Sequence, residues 1–309
     1  MKLARPRLLA YLALLVNALV WGLALPFVKL GFNQGLTPTI FLFGRYFFAL
    51  LFSLPIVFFL LFKTPALKKQ LSLKNIKTIL LLETLGTFLA LFLLYEGVAR
   101  TSVIEASLIA VTWPIFVTIG GLLFLKEKIQ RHETTGLVLA VAGTVFLIGI
   151  PILNSHQNGT LTGNLLILGQ NLAIATYYLL AKKYYQGLNK WLVTHISFWV
   201  GALLFLLLAF ARNISPITQL ANTLLIIDWK SFAILYMAFF GSIIGLTLYL
   251  LGQDKIEASE ASLFTYLQPV FSIPAAVILL SESITINQII AIGVIVTGVY
   301  IAEKRQKVI

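Results

Sequence analysis

The chain has 309 residues, of which 59% are hydrophobic and only 11% are charged; its mean hydropathy is +0.95, and it contains no cysteine. A soluble protein carries about 25% charged residues, so this composition excludes a soluble globular protein, and the lack of cysteine excludes disulfides and thiolate metal sites. In a soluble protein, a net charge of +12 would suggest nucleic acid as the binding partner. Here the basic residues lie in short segments between apolar runs. This arrangement favours the anionic face of a lipid bilayer as their partner and argues against nucleic acid.

Ten apolar runs follow one another along the chain, each close to the 20 or so residues that a membrane-spanning helix needs. We predict helices at 8–31, 38–62, 77–98, 102–125, 133–151, 161–183, 191–212, 230–251, 258–280 and 285–303. The first run follows Lys2, Arg5 and Arg7 and is similar to a signal peptide. We interpret it as a retained helix, because residues 17–29 align with residues 171–183. The predicted fold class is an all-α integral membrane protein.

The sequence repeats itself at half its length. The stretch EASLIAVTWPIFVTIGGLLFLKEKI at 105–129 returns as EASLFTYLQPVFSIPAAVILLSESI at 260–284, an offset of 155 residues. Such self-similarity indicates two homologous structural units. We predict a first five-helix repeat at 1–152 and a second at 161–309. Because each repeat has an odd number of helices, the second enters the membrane upside down, which makes an inverted-topology repeat.

The basic residues predict which side of the membrane each loop faces. If alternate loops are cytoplasmic, 18 of the 23 Lys and Arg residues lie on the cytoplasmic side, as the positive-inside rule expects. Both termini are then cytoplasmic. The inversion also accounts for a difference between the repeats: two lysines flank Glu127, whereas two serines flank its counterpart Glu282.

Four glutamates of the repeat have structural interpretations. Ser102 and Glu105 fit a capping box at the start of the fourth helix, and Glu260 is the counterpart of Glu105. Glu127 and Glu282 lie at helix ends and are interpreted as closing the turns that follow.

Two prolines occupy the same place in the two repeats. Pro114 and Pro269 lie about twelve residues into their predicted helices, roughly 18 Å along the axis and therefore near the bilayer midplane. A proline frees the carbonyl four residues before it, so the carbonyls of Ala110 and Thr265 need other partners within the membrane. We predict paired kinks that act as gating points; a packing kink between helices is the alternative.

Polar and aromatic side chains at mid-depth predict a substrate-binding pocket between the repeats. The candidate liners are Asn17, Trp21, Arg45, Glu83, Trp113, Gln170, Tyr177, Tyr266 and Gln268. Charged residues inside membrane spans are costly and mark transport pathways. Neutral polar residues also serve as hydrogen bonds between helices, which is the alternative for each of them. Lys29 and Lys182, near helix ends, are interpreted as anchors at the membrane interface.

Enzyme signatures are absent from the sequence. His132 and Glu133 begin like a zinc-protease motif, but Gly136 stands where the second histidine is required, and there is no P-loop. We expect no catalytic residue, no metal and no cofactor. Transport would then be driven by a gradient of substrate or ions.

Several of these residues carry a family resemblance. With Glu-Ala-Ser-Leu-x5-Pro-x-Phe in both halves, Trp21-Gly22 in the first helix, and Gly143 and Gly298 in the closing helices, the chain resembles the EamA-type ten-helix members of the drug/metabolite transporter superfamily. The resemblance implies transport of metabolites or amino acids, often export, through a central cavity. At the place aligned with Trp21-Gly22 the second half has Ala175-Thr176, which predicts an asymmetric pocket.

The sequence therefore predicts a secondary transporter of small metabolites such as amino acids. We expect an exporter that works by alternating access around a midplane pocket; a channel or a lipid-handling membrane protein is the alternative. Its partners are the small-molecule substrate and the lipid bilayer, with a coupling proton or ion left open, and the chain acts as a monomer or homodimer. We place it as a multi-pass protein in a prokaryotic plasma or inner membrane.

Overall fold

A computed structural model of the protein describes most of the chain. The described residues are 5–110, 112–125, 134–136, 138–139, 141–143, 145–146, 158–256, 261 and 264–303. Every regular element within them is helical. Glu127 and Glu260, whose interpretation as turn and cap residues came from the repeat, lie outside these residues.

The helices run along the chain as follows. They are α1 (Arg5–Asn33), α2 (Pro38–Lys63), α3 (Leu73–Arg100), α4 (Val103–Ala110), α5 (Trp113–Gly120), α6 (Asn158–Tyr184), α7 (Lys190–Ala211), α8 (Pro216–Leu224), α9 (Trp229–Lys255), α10 (Gln268–Leu280) and α11 (Ile286–Glu303). A 3₁₀ helix, Pro65–Leu71, precedes α3.

Seven helical stretches among the described residues are long and apolar enough to cross a membrane: α1, α2, α3, the α4–α5 pair, α6, α7 and α9. Shorter apolar helices occur at Thr134–Gly143, Phe264–Leu280 and Ile286–Gly298, where the sequence predicts the fifth, ninth and tenth spans. The prediction of an all-helical, multi-pass membrane protein is confirmed. The count of ten spans and the inversion of the second repeat stay predictions.

The helices of the first half pack on those of the second half in matched pairs. Helix α1 packs on α9 and α10, and α6, which is its counterpart in the repeat, packs on α3 and on the α4–α5 pair. Helix α2 packs on α7 and α9, and α7 packs on α2 and α3. Both halves therefore contribute to one shared interior.

Two spans change from α- to π-helix at positions related by the repeat offset. The change occurs at Thr84–Leu89 in α3 and at Met237–Leu246 in α9. Side chains of α1 bond to carbonyls of the second π-segment: the Asn17 amide donates to the Gly245 carbonyl at 2.8 Å, and the Trp21 indole N–H donates to the Gly241 carbonyl at 2.9 Å. Irregular helical turns of this kind often accompany functional sites.

The two prolines lie where the regular α-helix is interrupted by a turn, and each begins the α-helical segment that follows, which differs from a kink inside a continuous helix. Helix α4 ends at Ala110 and α5 begins at Trp113, while α10 begins at Gln268, 155 residues later, after a 3₁₀ turn. Pro114 and Pro269 thus lie in the first turn of a new helix, where an N–H has no intrahelical partner and its absence costs little.

The first interruption exposes a backbone acceptor, which a side chain satisfies. The carbonyl of Ile109 accepts from the Asn171 amide at 2.7 Å and from the Thr112 hydroxyl at 2.8 Å. The sequence predicted a free carbonyl one residue later, at Ala110. Asn171 is the repeat counterpart of Asn17, so both asparagines hold irregular backbone in place.

Two lysines that the sequence places near helix ends cap the C-termini of neighbouring helices. Lys29 donates to the carbonyls of Val98 and Thr101 at the end of α3, both at 2.8 Å. Its counterpart Lys182 donates to two carbonyls at the end of α9. A cation near a helix C-terminus also interacts favourably with the helix dipole.

The Lys182→Met variant is therefore expected to be less stable than the wild type, by about 1–2 kcal/mol for a partly buried cap. The Lys183→Met variant is the matched control, because Lys183 is exposed over the ring of Tyr184. Thermal unfolding of both variants in detergent measures the difference. An equal decrease in melting temperature for both would contradict the capping role.

Candidate substrate cavity

One cavity lies between the two halves, at the level of the helix interruptions. It comprises about 850 Å³ of empty space, including the open solvent at its mouth. Its lining is mainly apolar and aromatic and consists of Trp21, Ala24, Leu25, Arg45, Tyr46, Gly86, Thr87, Leu91, Leu94, Tyr95, Ala110, Trp113, Gln170, Ile174, Tyr177, Tyr178, Met237, Leu246 and Gln268.

The structure brings six of the nine predicted pocket residues into this cavity. They are Trp21, Arg45, Trp113, Gln170, Tyr177 and Gln268. The other three do not line it. Asn17 is buried against the Gly245 carbonyl, Glu83 lies one layer behind Tyr177, and Tyr266 is half-buried in the turn before α10.

Arg45 brings a buried positive charge to the cavity wall. Its side chain is only 5% exposed; Nε donates to the Ser242 hydroxyl at 2.7 Å, and Nη1 donates to the Tyr95 hydroxyl at 3.1 Å. The guanidinium carbon also lies 5.2 Å from the centre of the Tyr46 ring. Arg45 takes part in none of the ion pairs found in the described part of the chain. Its hydrogen-bond partners among the described residues are neutral, and an anionic ligand would supply a counter-charge.

Aromatic rings form a connected wall: Trp21, Trp113 and Tyr178 line the cavity, and Tyr249, which is outside the lining, connects them. Trp21 stacks on Tyr249 at 5.6 Å between ring centres, Tyr249 lies 4.3 Å from Tyr178, and Tyr178 lies 5.2 Å from Trp113. The sequence predicted the two tryptophans but missed Tyr178 and Tyr249. The Tyr249 hydroxyl is buried without a hydrogen-bond partner in the described structure. This wall can hold an apolar group or a cation over its ring faces.

Three aromatic rings of the cavity each pack against a glycine of a neighbouring helix. The pairs are Gly86 with Tyr177, Gly201 with Tyr46, and Gly245 with Trp21. A Cβ atom at Gly86, for example, would lie 2.3 Å from Cδ2 of Tyr177, well inside van der Waals contact. The small residues therefore determine where the rings of the binding surface lie.

Two glutamines bring neutral polar groups to the lining. The side-chain oxygen of Gln170 is buried and has no partner within the described residues, so it can accept a hydrogen bond from a ligand. Gln268 begins α10 at the second interruption, and its main-chain carbonyl lies against Gly22 of α1. The lining thus combines one cation, an unpaired acceptor and aromatic surface.

One end of the bundle is closed by charged contacts between the halves. The carboxylate of Glu96 on α3 pairs with Arg212, just after α7, and with Arg100, each at 2.6 Å. Arg212 also donates to the Thr39 hydroxyl at 2.8 Å. These contacts lie on the side that the sequence predicts to be external.

Two glutamates of the repeat cap helices in ways that differ from their predicted roles. Glu282 accepts from the backbone N–H groups of Val103 and Ile104, at 2.7 and 3.0 Å, so it caps α4 of the other half instead of closing its own turn. The N–H of Glu105 donates to the Ser102 hydroxyl, as in a capping box. The Glu105 carboxylate, however, accepts from Thr101 and Asn164.

Metal-binding groups do not assemble in the described residues: no three His, Asp or Glu side chains come together there in a way that could hold an ion. The cavity lining supplies a charged group, hydrogen-bonding groups and aromatic surface for recognition.

Comparisons with known proteins agree on one family. The sequence model of the EamA-like transporter family matches residues 8–149 and again residues 161–303. A protein of Salmonella typhimurium described as "Probable amino-acid metabolite efflux pump" is 28% identical over 94% of this chain and 93% of its own length. "Uncharacterized transporter YetK" of Bacillus subtilis is 27% identical over 79% of this chain and 71% of its own. A solved crystal structure with 16% identity covers 98% of both chains at a TM-score of 0.65 and shares the fold.

Proposed function

Because this chain belongs to the EamA-like transporter family, we propose that it is a secondary transporter that exports small carboxylate-bearing metabolites, amino acids foremost, across the membrane. The observation that carries the substrate class is Arg45, a buried cation at the cavity wall whose partners in the described part of the chain are neutral hydroxyl groups. A guanidinium binds a carboxylate through parallel hydrogen bonds. The Salmonella relative described as an amino-acid metabolite efflux pump supports the same class.

The cavity lining other than Arg45 suits the ammonium group and the side chain of an amino acid. With its carboxylate at Arg45, the ligand can place its ammonium group near the unpaired Gln170 oxygen or over the aromatic wall. Its side chain can lie against aliphatic residues such as Leu91 and Met237. The nine predicted pocket residues then divide into direct contacts, which line the cavity, and three supporting residues behind it.

Transport would proceed by alternating access between two inverted five-helix repeats, with ten spans and both termini cytoplasmic. The matched packing of the halves and the recurrence of helix interruptions at one offset support this arrangement. Pro114 and Pro269 would be paired hinges, one for each side of the membrane, because each begins a helix segment beside the cavity. The sequence contains no nucleotide-binding motif, so a gradient would drive the movement.

Ligand-dependent thermal stability tests the substrate class directly. Amino acids at a concentration of about 100 times Kd should stabilise the purified protein by about 2.7 kcal/mol, whereas the matching amines, which lack only the carboxylate, should not. Stabilisation by the amines and the amino acids alike would contradict a carboxylate site at Arg45. Stabilisation by neither class, together with stabilisation by lipids, would favour a lipid-handling protein.

A further inference from the structure

Glu83 is a buried carboxyl group whose donors are all neutral. It is fully buried within the membrane-spanning α3. One oxygen accepts from the hydroxyls of Tyr177 and Tyr185, at 2.8 and 2.9 Å, and the other accepts from the Thr87 hydroxyl. None of the ion pairs in the described parts of the chain involves Glu83.

The hydroxyls around Glu83 connect two regions of the protein. Tyr177 and Thr87 both line the cavity. Tyr185 follows the end of α6, where its main-chain carbonyl accepts from Lys190, and Lys190 pairs with the exposed Asp254 at 3.0 Å. Glu83 therefore lies between the cavity and the end of the bundle that the sequence predicts to be cytoplasmic.

The charged groups on the helices around Glu83 are engaged elsewhere. Besides Glu83, the titratable or charged side chains on these helices are Lys74, Lys77, Tyr95, Glu96 and Arg100 on α3, Arg45, Tyr46 and Lys63 on α2, Tyr177, Tyr178, Lys182, Lys183, Tyr184 and Tyr185 on or just after α6, Lys190 and His195 on α7, and Lys230, Tyr236, Tyr249, Asp254 and Lys255 on α9. Lys182 donates to the carbonyls of Gln253 and Ile256. Arg45 bonds to Ser242 and Tyr95, and the His195 ring nitrogen Nδ1 lies 2.6 Å from the Ser53 hydroxyl. No cation among them neutralises Glu83.

We propose that Glu83, with Tyr177 and Tyr185, is a proton-binding site that couples proton movement to transport. The inference rests on the proposed function. An unpaired carboxylate is costly inside a membrane, and acidic residues in such positions serve proton relays. A proton that enters through the cavity would bind one oxygen of the Glu83 carboxylate. The same proton would later be released towards the cytoplasmic end by way of Tyr185.

Protonation would also change the cavity itself. A carboxylate accepts from all three hydroxyls, whereas a carboxylic acid has one O–H that must donate. At least one hydroxyl then has to turn, and Tyr177 and Thr87 are both cavity residues. The protonation state of Glu83 would thereby alter the substrate site, so an inward proton gradient would drive export.

The Glu83→Gln variant separates proton coupling from substrate movement. The glutamine amide has nearly the same shape as the carboxyl group but binds no proton in the pH range of the transport experiment. In proteoliposomes containing the wild type, a gradient of one pH unit should drive about tenfold accumulation of an amino acid in one-to-one exchange. Glu83→Gln should lose this accumulation yet retain exchange of labelled for unlabelled amino acid at equal pH. Glu105→Gln is the matched carboxyl control.

The outcomes distinguish this inference from the proposed function. Absence of amino-acid exchange in the wild type would argue against the proposed function. Wild-type exchange that ignores the pH gradient, or gradient-driven accumulation by Glu83→Gln, would overturn the proton site alone. The infrared band of a protonated carboxyl group in the purified protein is a measurement that needs no substrate. We expect a pH-dependent band that Glu83→Gln lacks, and identical spectra for both proteins at every pH would also overturn the inference.

Discussion

The Arg45→Met variant is expected to lose binding of carboxylate substrates by at least about a hundredfold while remaining folded. Removing one partner of a buried charge pair costs about 3–5 kcal/mol, and each 1.4 kcal/mol corresponds to a tenfold change in affinity. Methionine has a similar length and no charge. Because Arg45 bonds to the neutral Ser242 and Tyr95 and pairs with no carboxylate among the described residues, the stability of Arg45→Met should be unchanged or increased.

Two further variants make the Arg45 result specific. Arg45→Lys keeps the charge but loses the planar pair of donors, so its affinity should fall between those of the wild type and Arg45→Met. Arg7→Met removes a basic residue near the start of α1, outside the cavity lining, and should bind normally. Binding is measured by the ligand-induced change in melting temperature. Wild-type affinity in Arg45→Met would refute the assignment of the carboxylate site.

The Gly86→Ala variant is expected to destabilise the protein and impair transport, although it adds a single methyl group. The new Cβ atom would lie 2.3 Å from the Tyr177 ring, and that ring is buried and bonded to Glu83. Because a shift of the ring would break its hydrogen bond to Glu83, overpacking should cost about 1–3 kcal/mol. Displacing Tyr177 would disturb the cavity and the proton site together.

Gly293→Ala is the matched control, with an effect of opposite sign. Gly293 lies in α11, and nothing is within 4 Å of the position of its Cβ atom. The same substitution there should stabilise the helix by about 0.5–1 kcal/mol, because alanine loses less backbone entropy than glycine. Thermal unfolding of the two variants in detergent measures both changes in stability and their signs. A stability change in the same direction for both would show that the packing of Tyr177 against Gly86 is unimportant.

The sequence predicted the cavity better than it predicted the detailed roles of its residues. Composition and apolar runs identified a membrane helix bundle, and mid-depth polar and aromatic side chains such as Arg45 and Gln268 indicated the cavity wall. Tyr178 was missed because one-dimensional spacing does not distinguish a tyrosine facing a cavity from one facing a neighbouring helix. Its position beside Tyr177 was the available signal. Asn17 was assigned to the pocket because a buried amide looks the same whether it binds substrate or a backbone carbonyl.

Contacts between segments far apart in sequence were the least predictable feature. Glu282 caps α4 across the interface, and Lys29 caps the end of α3, but each depends on packing between segments far apart in sequence. The repeat contained a usable signal for the lysines, because Lys29 and Lys182 have nearly the same offset as the helix ends that they cap. Proline effects were predicted as kinks because the sequence did not reveal that Pro114 and Pro269 begin new helices.

Counterflow in proteoliposomes tests the central claim, transport by alternating access around one cavity, most directly. Vesicles containing the wild-type protein are loaded with an excess of unlabelled amino acid and placed in a trace of labelled amino acid at equal pH. We predict a transient accumulation of label above its equilibrium level, with an initial rate that saturates with concentration, because one site faces each side in turn. A rate that stays proportional to concentration, without transient accumulation, would identify a channel and contradict the account.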